Sequence, residues 1–119
     1  MQIKFMGLLT QEAVRKAINR DPWAIQYVHA SVMTEEVCLD AVRLNPWALQ
    51  HIPDVLRTDA VCREAVERNG WALQYVPREK RTEAVARTAV KMQRQALVYV
   101  LDPDLFDKIA SELSIDVDI

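Results

Sequence analysis

One octapeptide constrains this chain more than any other feature, because it returns at a fixed interval. Asn45-Pro46-Trp47-Ala48-Leu49-Gln50-His51-Ile52 is preceded by Asp21-Pro22-Trp23-Ala24-Ile25-Gln26-Tyr27-Val28 and followed by Asn69-Gly70-Trp71-Ala72-Leu73-Gln74-Tyr75-Val76. A worn fourth copy runs from Gln93 to Val100, and each copy lies 24 residues after the last. A strict period of that length marks a stacked-repeat protein, whose units bury their apolar faces only against neighbouring units.

Each unit reads as a helix followed by a shorter helix. Thr10, Thr34, Thr58 and Thr82 stand at equivalent positions with acids in or near the turn that follows, as at Glu35 and Glu36. A threonine hydroxyl there accepts an otherwise unbonded N–H, and the acids suit the positive helix end. The apolar residues Val37, Cys38, Ala41 and Val42 then fall on one helical stripe, and every copy repeats the spacing. The helix ends at Asn45, because a following proline disfavours helical geometry there, while Asn-Pro also opens a new helix. The second element is expected from Pro46 to about Ile52 and, at barely two turns, partly 3₁₀. Ala48, Leu49 and Ile52 face one way, and Leu56 (Val32 in the first copy) plugs the loop before the next threonine.

These units predict an all-α fold, a short α-solenoid of four 24-residue helix–short-helix repeats with a C-terminal capping helix. The whole of 1–119 is one domain, with repeats at 10–33, 34–57, 58–81 and 82–101 and the cap helix at 103–113. Ile3, Phe5 and Leu8 are expected to cover the first repeat, and 114–119 is assigned no structure. In the fourth copy Gln93-Arg94-Gln95 are good helix formers with no breaker. A single helix from Thr82 to about Leu101 is therefore expected there, serving as a lid.

At 119 residues the chain can bury a core without staples, and 50% hydrophobic against 27% charged residues is a globular balance. A net charge of −2 implies no general affinity for nucleic acid or anionic membrane. No stretch approaches the roughly 18 apolar residues of a transmembrane helix, and Met1–Met6 is too short for a secretion signal. A soluble, cytoplasmic protein is expected. Cys38 and Cys62 fill a slot that Val14 and Ala86 fill elsewhere, so they are read as small packing residues rather than a disulfide or metal pair.

The segment Thr58 to Tyr75, Thr-Asp-x-Val-x-x-x-Ala-Val-x-x-Asn-Gly-x-Ala-Leu-Gln-Tyr, resembles the bacterial and viral repeat family catalogued as domain of unknown function 4116. The resemblance spans residues 10–100, three copies well and the fourth loosely, with Pro22 and Pro46 where the family has glycine. The chain is also similar, with fewer matching residues, to leucine-rich repeat variants, which pair an α-helix with a 3₁₀ helix. Neither resemblance implies an activity or a catalytic residue.

Candidate binding residues follow from the columns that the period creates. Trp23, Trp47 and Trp71 form a ladder beside Tyr27, His51 and Tyr75. Each tryptophan is read as packing sideways on the following repeat, since the copy with no complete successor has Gln95 instead; an exposed protein-binding ladder is the alternative. Gln26, Gln50 and Gln74 are expected to tie loops of adjacent repeats. Arg15, Arg63 and Arg87 share an outward column suited to phosphates or an acidic partner, although glutamates interleave it and favour a solvated mixed-charge face.

No phosphate loop, nucleophile elbow or metal-spaced histidine pair is present, and no carboxylate falls in an apolar stripe. The expectation is a non-enzymatic module without cofactor or metal whose partner is another protein. One specific form would be a small stand-alone inhibitor or adaptor, phage- or mobile-element-encoded. A nucleic-acid-binding protein using the arginine column is the alternative, and no membrane partner is expected.

Overall fold

Each of the four threonines caps a ten-residue α-helix in the computed structural model, which describes residues 10–115. These helices are α1 (Gln11–Arg20), α2 (Glu35–Leu44), α3 (Asp59–Arg68) and α4 (Glu83–Met92). The threonine Oγ1 accepts the N–H three residues on, at 3.1 Å from Ala13 and 3.3 Å from Val37, Val61 and Val85. Each α-helix stops at one extended residue, Asp21, Asn45, Asn69 or Gln93, with φ near −150°. In the first three that residue's side chain accepts the N–H of the next tryptophan at 2.9–3.0 Å, so it closes one helix and caps another.

The second elements are wholly 3₁₀: Pro22–Tyr27, Pro46–His51, Gly70–Tyr75 and Arg94–Tyr99. With three residues per turn, positions three apart eclipse. Leu49 and Ile52 therefore stack on one side with Ala48 beside them, and all three are buried. A further single 3₁₀ turn follows the first three (Ala30–Val32, Asp54–Leu56 and Arg78–Lys80), and Val32 and Leu56 pack against the core as the loop plugs. Helix α5 (Pro103–Glu112), capped by Asp102, ends the described chain.

The α-helices lie in one layer, each against the next, and the six-residue 3₁₀ helices lie in a second layer. Each of the first three also touches the α-helix of the following repeat, so these layers interlock with their successors. One continuous core results, from Val14 to Ala110, and among the described residues no strand is present. The stack measures 55 × 22 × 19 Å. Ile3, Phe5 and Leu8, expected to cover the first layer, lie outside the described residues.

The continuous helix expected over 82–101 does not form. Gln93 is extended (φ −148°, ψ 107°), α4 stops at Met92, and Arg94–Tyr99 turns into the 3₁₀ layer like its predecessors. Gln93 supplies no side-chain cap, so nothing local makes this bend. Packing makes it: a straight continuation would carry Ala96 and Leu97 away from the 3₁₀ helix Gly70–Tyr75 and remove Tyr99 from Trp71. Burial of those apolar groups outweighs a few tenths of a kcal/mol of helix propensity per residue.

Cys38 and Cys62 are free and buried. Burial pushes the Cys38 thiol up to about 12 and the Cys62 thiol to about 11, from 9.0. The unfolded chain thus releases these protons first, so their contribution to stability is intact below pH 9.0 and is lost as pH rises toward 12. Replacing both by alanine, the residue at 86, should flatten the fall in thermal midpoint between neutral pH and about 11. An undiminished alkaline loss would refute this.

Candidate binding surface

The 3₁₀ layer brings the aromatic residues of successive repeats together. Trp23 meets His51 with ring centroids 5.4 Å apart, Trp47 meets Tyr75 at 5.9 Å, and Trp71 meets Tyr99 at 6.2 Å. All three pairs are edge-to-face, the arrangement that ring quadrupoles favour. Each tryptophan thus packs sideways on the next repeat, and Gln95 stands where no further 3₁₀ helix follows among the described residues. Tyr99, absent from the sequence-derived candidates, completes the third pair.

This packing leaves the ladder partly open. Tyr27, whose ring meets no tryptophan, is 68% exposed, and Trp23 is 36% exposed. Trp47, His51, Trp71 and Tyr75 are half-buried. Because the Trp47 side chain is largely but not fully enclosed, Trp47→Ala should destabilise by about 3 kcal/mol, the lower end for tryptophans removed from a core. A denaturation midpoint indistinguishable from wild type would contradict the cross-repeat contact.

Among the described residues none of Gln26, Gln50 and Gln74 bridges repeats. Gln50 Nε2 donates to Trp47 O at 3.0 Å and Gln74 Nε2 to Trp71 O at 3.1 Å, each within its own 3₁₀ helix. Within the 3₁₀ layer the bridge between repeats is made by Arg57 and Arg81, which sequence reasoning missed. Arg57 donates from Nε to Ile52 O (2.6 Å), from Nη2 to Gln50 O (3.2 Å) and from Nη1 across the interface to Tyr75 O (2.8 Å). Arg81 repeats the pattern on Val76 O, Gln74 O and Tyr99 O at 2.8, 3.2 and 2.7 Å. The available signal was their equivalence, one residue before the capping threonine, where the first repeat has buried Met33.

The arginine column is not a free cationic surface. Arg15 forms a two-pronged pair with Asp40 in the next helix, at 2.6 and 3.2 Å, which raises its pKa. Arg87 sits between Glu83 and Glu112, and its hydrogen bonds hold both carboxyls below the usual range. Arg63 is exposed and has no ion pair among the described residues, so the column offers one uncommitted charge rather than three. His29 Nδ1 accepts the Ser31 N–H at 3.0 Å to cap a turn. Among the described residues no group of His, Cys, Asp and Glu could hold a metal ion, and no helix is long and apolar enough to cross a membrane. A shallow surface depression of about 390 Å³ is lined by Glu83 and Lys108, which are themselves paired at 3.0 Å.

The family model described as Domain of unknown function (DUF4116) matches the chain twice, over residues 11–57 and 34–79. No curated protein and no solved structure matches it.

Proposed function

The chain belongs to the family described as Domain of unknown function (DUF4116), and because that description assigns no chemistry we propose from the geometry that it is a non-enzymatic, solenoid-type module that binds another protein. The observation carrying this reading is the aromatic ladder. It runs along the 3₁₀ layer with Trp23 and Tyr27 exposed and the later rings half-open. Aromatic side chains held rigid by their neighbours dominate protein-binding surfaces, because they bring large contact area and lose little rotamer entropy. The arginine column argues against a phosphate-binding role, since Arg15 and Arg87 already face carboxylates.

Immobilised protein exposed to an extract of its native cells should retain a partner protein that a Trp23→Ala, Tyr27→Ala variant fails to retain. The thermal midpoint of that variant serves as the control for folding. Equal capture by both proteins, or none by either, would count against the reading. Binding to duplex or single-stranded nucleic acid that weakens steeply with salt would favour the arginine-column alternative instead.

A further inference from the structure

The two arginine clasps are built alike, but the residue beside them changes sign. Next to Arg57 stands Asp54, whose Oδ1 lies 3.6 Å from Nη1. One period later, next to Arg81, the equivalent residue is Arg78. Arg78 is exposed and has no ion pair among the described residues. Burial and then this neighbouring cation lower the Arg81 pKa, because a like charge close by disfavours the protonated form. Arg81 spends one N–H each on the carbonyls of Val76, Gln74 and Tyr99. A guanidinium carries five N–H groups in a planar fork, so two of them remain.

A cleft opens at this point. The fourth repeat lacks the single 3₁₀ turn that follows the first three, and residues 102–104, equivalent to Arg78–Lys80, form the cap and first two residues of α5 instead. Leu105 falls where Arg57 and Arg81 stand in earlier repeats, so no third guanidinium fills the space. The resulting cleft, about 140 Å³, is lined by Arg78, Arg81, Val100, Leu101, Asp102 and Leu105. It has a cationic side and an apolar side, and Leu101 is 50% exposed there. Asp102 is turned toward its own helix, where Oδ1 accepts the Asp104 and Leu105 N–H groups at 2.9 and 3.3 Å, and it forms no ion pair among the described residues.

These features select the ligand. A planar carboxylate matches the spare fork of a guanidinium that is already held in place by three carbonyls. Two guanidiniums against one carboxylate leave one net positive charge, which a single carboxylate balances. A dianionic phosphate would add a second negative charge beside Asp102, and like charges there repel. The leucines and Val100 offer an apolar wall to whatever carries the carboxylate.

We propose that the cleft between the third clasp and α5 binds a singly charged carboxylate carried beside an apolar group, as at the C-terminal residue or an acidic side chain of a partner protein, with Arg78 and the free edge of Arg81 as its donors. The proposal rests on the protein-binding reading and adds a charged contact to the aromatic ladder.

N-acetyl-leucine titrated into the full chain, followed by the NMR shifts of the Leu101 and Leu105 methyl groups, should give a saturable change that weakens as chloride is raised. N-acetyl-leucine amide, which lacks the charge, should give none. Arg78→Asp restores the residue type found at position 54, so the thermal midpoint should stay at or above wild type while affinity falls about tenfold or more, as loss of a charge-assisted contact predicts. A peptide ending in leucine with a free carboxylate and a blocked peptide with one internal glutamate beside leucine separate the two sources. Saturable binding of either supports the proposal, and binding of neither overturns it. Equal affinity of wild type and Arg78→Asp, equal binding of the amide, or tighter binding of inorganic phosphate than of N-acetyl-leucine also overturns it. A partner protein captured through Trp23 and Tyr27 and held equally well by Arg78→Asp overturns this inference and leaves the protein-binding reading standing.

Discussion

Arg81→Met should lower stability by about 3 kcal/mol, and Arg57→Met by a similar amount. Each guanidinium gathers two carbonyls at the end of its own repeat's 3₁₀ helix and one from the next repeat. Removing it leaves three half-buried acceptors without a donor. Hydrogen bonds to charged groups are worth about 1.5–3 kcal/mol each, but here water can reach part of the vacated space, so the full sum is not expected. Burial lowers the pKa of Arg81, which marks the desolvation that its three acceptors must offset. Arg81→Lys should recover less than half of the loss, because an ammonium is a point charge that cannot address three divergent carbonyls. Methionine already stands at position 33, so shape alone does not forbid the substitution. An unfolding free energy from urea titration lowered by less than about 1 kcal/mol would show that water replaces the arginine adequately.

Gly70→Ala should be nearly as damaging, with a loss of about 3 kcal/mol at the upper end of ordinary overpacking. The reason is proximity rather than an unusual backbone angle, since no glycine among the described residues has positive φ. A Cβ on Gly70 would collide with the backbone oxygen of Ala89 and lie 2.9 Å from Gln93 Cβ. Ala89 O already accepts the Gln93 N–H at 2.9 Å, the bond that closes α4, and so cannot withdraw freely. Elsewhere the same exchange usually stabilises by about 0.4–1 kcal/mol through the unfolded chain. Thermal unfolding of Gly70→Ala thus tests the sign as well as the size. A midpoint at or above wild type would mean that the third and fourth repeats can separate without penalty.

Much of the architecture was legible because it depends on short-range chemistry repeated several times. Threonine caps, Asn-Pro and Asn-Gly breaks and the apolar stripe each act over four or five residues, and their agreement across copies removes the ambiguity that any single copy has. The tryptophan contacts were legible for a different reason. Column equivalence showed that the ladder ends at Gln95, where no further 3₁₀ layer stands among the described residues to receive a ring. The arginine column misled because sequence shows charges without their partners: Asp40 lies 25 residues from Arg15 and Glu112 lies 25 from Arg87. Those distances close only when the layers stack.

Arg57 and Arg81 escaped notice because their acceptors are backbone carbonyls, which every residue carries and no residue type signals. The bend at Gln93 was hidden for a related reason. Local propensity favours a continuous helix there, and only the 3₁₀ helix Gly70–Tyr75 waiting to be covered reverses the preference. The sequence by itself determined the period, the caps, the buried stripe and the all-helical class, since these follow from interactions within one repeat. Tertiary structure alone decided the fourth repeat's bend, the arginine clasps and the pairing of the surface charges. Each of these joins residues of different repeats, or turns a segment against its own preference, and only the assembled stack supplies the energy that does so.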